Sequence, residues 1–145
     1  MTTIQMGGAN NIIRRNTMHK LGASATLNPG DAGLITLNNI SDTGHMQGDG
    51  AMVQVMTGQS PGTEISYNWL HSSVKYGARF DGNGTGNNGI MHHNVFWGLD
   101  NAGIMAKGYE FKIYNNTVLY GPDNKNDILI MIGPVSYTHL TLPTS

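Results

Sequence analysis

Cysteine is absent from the 145-residue chain, which excludes disulfides and thiolate metal sites and leaves the redox compartment open. Charge is scarce as well: Asp, Glu, Lys and Arg make up 12% of the residues, the net charge is −1, and no basic run occurs. The electrostatic footprint of a nucleic-acid binder is therefore missing, and so is the high charge of a disordered segment. No apolar run reaches the roughly 18 residues of a membrane helix, and residues 1–16 lack the basic start and apolar core of a signal peptide. Sustained helical periodicity is also lacking. What the chain has instead is punctuation. It carries 20 glycines and 16 asparagines, and turn residues arrive at short intervals, as in an all-β chain of short strands.

The punctuation is periodic. Residues 110–120, EFKIYNNTVLY, place an apolar residue three positions before an asparagine and another two positions after it: Ile113, Asn116, Val118. The same spacing recurs at Ile13-Asn16-Met18, Ile35-Asn38-Ile40, Ile65-Asn68-Leu70 and Met91-Asn94-Phe96. The asparagines are 22, 30, 26 and 22 residues apart, a period that signals an array. Between them runs a second series of short apolar strands, closed by Gly7, Asn28, Gly58, Gly82, Gly108 and Gly133. Each repeat then reads as three short strands, which bury their apolar positions only against neighbouring repeats, as in a solenoid. The long interval is explained by an insertion at residues 43–50, and GNGTGN at residues 82–87 reads as a loop. At the bend, asparagine is expected to take a positive φ and to hydrogen-bond the asparagine one coil above.

These repeats, NNIIRRNTM, TEISYNWL, GIMHHNVF and FKIYNNTV, resemble the right-handed parallel β-helix proteins of the pectin-lyase-like superfamily. The expected fold is a single-stranded parallel β-helix of about five coils over residues 1–133, cut at both ends. Residues 135–144, VSYTHLTLPT, resemble a translated sequencing adapter, so residues 134–145 are expected to be a non-native tail. Coils without caps expose unpaired strands, which predicts end-to-end self-association. The resemblance implies a polysaccharide ligand, neither nucleic acid nor membrane as partner, and an intact parent that is secreted or periplasmic. It leaves cofactors open.

Anchoring strands on Gly82 and Gly108 sets Asp81 beside Lys107 and Arg79 beside Met105, with Phe80, Ala78, Ala106 and Ile104 facing inward. Arg79, Asp81 and Lys107 then share one outward patch. A uronate lyase needs a cation for the substrate carboxylate and a base for the neighbouring proton, and these residue types supply both. The competing reading is a surface salt bridge. His71, His92 and Trp97 are candidate sugar contacts, Trp97 by stacking, and one of His92 and His93 is expected to face solvent. His19 and His71 lie two coils apart, roughly 10 Å, too far to share a metal ion. A glycoside hydrolase of the inverting type needs two carboxylates about 6.5–9.5 Å apart; Asp81 shows no acidic partner on a neighbouring coil, and Asp49 and Asp100, each just before a glycine-closed strand, approach the same face with two coils separating them, which disfavours this class. The expected function is thus a polysaccharide lyase acting on acidic polymer, with a non-catalytic carbohydrate-binding, adhesive or structural β-helix as the alternative.

Overall fold

The computed structural model describes residues 2–119 and 129–132, with the backbone alone for residues 83–86 and 129–132. Its strands fall into triplets. The first coil holds β1 (Ile4–Gln5), β2 (Ile12–Arg14) and β3 (Thr17–Ala23), and the second β4 (Leu27–Asn28), β5 (Leu34–Thr36) and β6 (Asn39–Gln47). The third holds β7 (Ala51–Val55), β8 (Glu64–Ser66) and β9 (Trp69–Ser73), and the fourth β10 (Tyr76–Asn87), β11 (Ile90–His92) and β12 (Val95–Leu99). After β13 (Ile104–Tyr109), β14 (Lys112–Tyr114) and β15 (Thr117–Leu119), β16 (Leu129–Ile132) opens a further turn. Corresponding strands form three sheets: β1-β4-β7-β10-β13-β16, β2-β5-β8-β11-β14 and β3-β6-β9-β12-β15. Every pairing is parallel, so the all-β solenoid of about five coils expected from the repeats is the observed architecture. The expected tail at residues 134–145 lies outside the described residues.

Parallel stacking in register puts each repeat position on top of itself. In the second sheet Ile13, Ile35, Ile65, Met91 and Ile113 form one column, and in the third Met18, Ile40, Leu70, Phe96 and Val118 form another. The first sheet contributes Leu27, Val53, Ala78 and Ile104, with Val55, Phe80 and Ala106 beside them. Phe80 stacks on Phe111 at 4.9 Å, and both are buried. Burying one such aliphatic or aromatic side chain contributes roughly 1.5–3 kcal/mol, so the columns drive the stacking.

The five asparagines form a ladder. The backbone N–H and the side-chain amide of Asn16 both donate to Oδ1 of Asn38 at 3.0 Å, and the pattern repeats from Asn38 to Asn68, Asn68 to Asn94 and Asn94 to Asn116. Each amide also donates backward, as Asn68 does to the Ile35 carbonyl at 2.9 Å. The positive φ, however, does not fall on these asparagines. It falls on the residue before each: Arg15 (59°), Leu37 (59°), Tyr67 (55°), His93 (54°) and Asn115 (52°). The ladder explains the displacement, because an asparagine that donates from both backbone and side chain must point inward, and the left-handed turn is made one residue earlier. A second left-handed column follows the third sheet's first residues, at Lys20, Asp42, Ser72 and Gly98, so those strands continue past a kink.

The segment read as a loop is absorbed into a strand, and the one read as an insertion is absorbed as far as Gln47. β6 runs on through Gln47 and pairs with β3 across a register shift between Leu21 and Ala23. β10 extends to Asn87, with a bulge after Asp81, so Gly108 lies opposite Gly86 and not Gly82. Asn28 lies opposite Gln5. The strand-closing residues therefore do not share one register, because bulges take up the differences in coil length.

Candidate functional site

Alternation along β10 and β13 sends Phe80 and Ala106 inward and Arg79, Asp81 and Lys107 outward, with Asp81 opposite Lys107 and Arg79 opposite Met105, as expected from sequence. The three side chains meet. Arg79 Nη2 lies 2.6 Å from Asp81 Oδ2, and Lys107 Nζ lies 3.1 Å from Oδ1. Gln54 on β7 donates its amide to Oδ2 at 3.2 Å. The Asp81 carboxylate thus ties three coils together. Burial alone would raise its pKa, but hydrogen bonds and charge from Lys107 and Arg79 outweigh that and hold it below the ordinary 3.8. The patch is more sheltered than a surface salt bridge, with side-chain exposures of 13% for Arg79, 17% for Asp81 and 20% for Lys107. A base at Lys107 would first have to leave its carboxylate partner.

Beside this cluster lies a polar cleft of about 200 Å³ lined by Gln47, Asp49, Gln54, Met56, Arg79 and Asp81, among others. The cleft corrects one expectation. Asp49 stands just before β7, the strand paired with β10, so a second carboxylate does share a cleft with Asp81. The alignment by closing glycines hid it. Three buried atoms on these residues, Arg79 Nε, Gln47 Oε1 and Asp81 Oδ1, have no partner in good hydrogen-bond geometry, and Asp81 Oδ1 is held by its ion pair with Lys107 instead.

The third sheet carries a different surface. Trp69 lies one residue after its ladder asparagine and Trp97 three after, offsets that alternation sends to the same outward face. Their rings stand 6.2 Å apart, edge to face, and with Val95 and Leu119 they line a shallow apolar groove of about 280 Å³. Trp69 is 57% exposed and Leu119 55%. His71 stacks on Trp97 at 4.0 Å, nearly parallel. Its Nε2 lies 3.2 Å from Asn39 Oδ1 and its Nδ1 3.1 Å from Ser72 Oγ, which fixes the ring from both sides. Burial, with a smaller contribution from His19, lowers the His71 pKa below 6.5.

A family model described as "Right handed beta helix region" matches residues 1–118. The chain belongs to the right-handed β-helix family. Comparison with the curated proteins and with the solved structures returned no match.

On this β-helix the second and third sheets place His19, His92 and the neighbouring His93. Ser41 lies between His19 and His71 in the pairing, and His19 Nδ1 meets its hydroxyl at 3.0 Å. No group of three or more His, Asp or Glu is arranged to hold a metal ion among the described residues. His92 and His93 both leave the barrel outward. His93 is exposed, while His92 is covered, its side chain 12% exposed, between Tyr114, Tyr67 and Glu64. The charged trio, His71, His92 and Trp97 therefore occupy three separate faces of the β-helix and form no single site. Sequence reasoning missed Trp69, and it set Asp49 against Asp100 and not against Asp81. The odd offset of Trp69 from Asn68 was a usable signal, and the nearness of Asp49 to Asp81 became visible only with the β7–β10 register.

Proposed function

We propose that this β-helix binds polysaccharide on the outer face of its third sheet, with the apolar face of a sugar ring laid against Trp69 and Trp97. The observation that carries the reading is the pair of outward indoles in an apolar groove open to solvent. Tryptophan offers a broad apolar face with a polar edge, which suits a ligand that is apolar on its ring faces and polar at its rim. His71, held by Asn39 and Ser72, backs Trp97 and limits its rotation. A fixed aromatic loses little entropy on binding. With such a ligand goes a proposed secreted or periplasmic setting for the protein.

A second reading, a lyase acting on acidic polysaccharide through Arg79, Lys107 and Asp81, is favoured by the polar cleft and the unpartnered Arg79 Nε at its wall. A uronate carboxylate there would compete with Asp81 for the guanidinium. The two readings separate experimentally. Affinity electrophoresis through neutral and uronate polymers should show retardation that is lost in Trp69→Ala and Trp97→Ala and kept in Arg79→Gln. Retardation confined to uronates, abolished in Arg79→Gln and accompanied by an ultraviolet-absorbing unsaturated product, would put the function in the cleft. Full retardation of both tryptophan variants would refute the first reading.

A further inference from the structure

The outer face of the second sheet carries a hydrogen-bonded chain that neither reading above uses. Glu64 Oε1 lies 3.2 Å from His92 Nε2, His92 Nδ1 lies 2.7 Å from His93 Nδ1, and the Asn115 side-chain amide lies 3.3 Å from His93 Nε2. The Ser66 hydroxyl donates to the same Glu64 oxygen at 2.8 Å and fixes it. The rings are held in crossed pairs: Tyr67 stacks on His93 at 4.9 Å, Tyr114 stacks on His92 at 4.9 Å, and the two imidazoles stand at 89°. Every member of this chain comes from a different coil or from the bend between β11 and β12, so the β-helix register assembles it.

With both imidazoles neutral, the hydrogen-bond pattern assigns the protons. A carboxylate accepts, so His92 carries its proton on Nε2 and offers a lone pair at Nδ1. His93 must then donate from Nδ1, which leaves its Nε2 as an acceptor, consistent with the amide donor of Asn115. The accepting position of the relay is thus His93 Nε2, on the exposed residue, and a ligand O–H would reach it by displacing the Asn115 amide.

We propose that Glu64, His92 and His93 form a proton relay whose accepting atom is His93 Nε2, serving a hydroxyl-bearing ligand or a water held beside Tyr67. When the ligand's O–H bond breaks, the proton arrives on His93 Nε2, the Nδ1 proton passes to His92 Nδ1, and the positive charge comes to rest beside the Glu64 carboxylate. Reversal returns the proton to the departing oxygen, so no proton is gained or lost over a cycle. Tyr67, 51% exposed, offers ring surface next to the accepting atom. The titratable and charged groups around the pair are Glu64 and Tyr67 on the preceding coil and Lys112 and Tyr114 on the following strand.

The test is nitrogen-15 magic-angle-spinning NMR of the histidine-labelled chain, which reads tautomers in monomers and assemblies alike, together with the rate of acylation by diethyl pyrocarbonate. His92 should be the Nε2–H tautomer and His93 the Nδ1–H tautomer, with a coupling across the Nδ1–Nδ1 bond. His93 should be the fastest of the described histidines to acylate, faster than exposed His45, whose Nε2 lies 2.9 Å from Asp42 Oδ1, and Glu64→Gln should slow it while leaving His45 unchanged. Nε2–H tautomers on both residues, or acylation of His93 at the rate of His45 in wild type and variant, would overturn the relay. Glu64→Gln keeps an oxygen acceptor for Ser66 and His92, and the wild-type tautomers stand as a readout independent of any variant.

Discussion

The charged cluster on the first sheet and the aromatic groove on the third differ in where their interactions end. Asp81 takes up the charge of Arg79 and Lys107 and the amide of Gln54, so most of that cluster's interaction energy is spent within the protein. Trp69 and Leu119 make the opposite arrangement, leaving more than half of each side chain to solvent in an apolar groove. Groups that satisfy one another stabilise the fold; groups that are fixed from behind and open in front are available to a ligand. That difference is why the tryptophans, and not the cations, lead the functional reading.

Two substitution experiments press on the contrast. The largest effect on stability is expected from Asp81→Asn, which removes the shared anion and leaves two sheltered cations facing each other. Breaking a fully buried pair costs about 3–5 kcal/mol, and the residual exposure here brings the expectation to about 1–3 kcal/mol. Chemical denaturation of the variant would measure it, and polysaccharide retardation should survive. Trp69→Ala is the converse. Its indole is largely exposed, so stability should change by less than about 0.5 kcal/mol. Sugar affinity should fall about tenfold, the loss of one aromatic contact worth roughly 1.4 kcal/mol.

The acid dependence of the fold sharpens the same point. The Asp81 carboxyl titrates below 3.8 when folded and at its ordinary value when unfolded. Its contribution is therefore complete above about pH 4 and is lost as pH falls through the folded value. The stability gap between wild type and Asp81→Asn should narrow over that range. His71 acts in the same direction at higher pH. The unfolded chain takes up a proton near 6.5, while the folded chain, with a lowered value, does so only at lower pH. Stability should thus fall as pH drops below 6.5, and His71→Asn should remove that slope.

Much of the fold was legible in the sequence because a solenoid repeats its constraints. Five asparagines at one offset from five apolar residues gave the columns and the ladder, and both are present as read. The left-handed residue was misplaced by one position because asparagine tolerates positive φ and nothing local shows that its side chain is already engaged with the next coil. Bulges were not legible either. GNGTGN at residues 82–87 contains the residues of a loop, yet the backbone continues the strand after a break in register. The site was legible only in part. Alternation correctly brought Arg79, Asp81 and Lys107 together, but their mutual saturation depends on distances, and the pairing of His71 with Trp97 depends on the third-sheet register.

The central claim can be tested in one titration, because the chain has only two tryptophans and both line the groove. Their emission reports on that surface and on no other. A polysaccharide that retards the protein should shift the emission to shorter wavelength and saturate with the same midpoint as retardation, as a sugar ring displaces water from Trp69 and Trp97. Retardation with unchanged emission would show that the ligand binds elsewhere on the β-helix and would contradict the account.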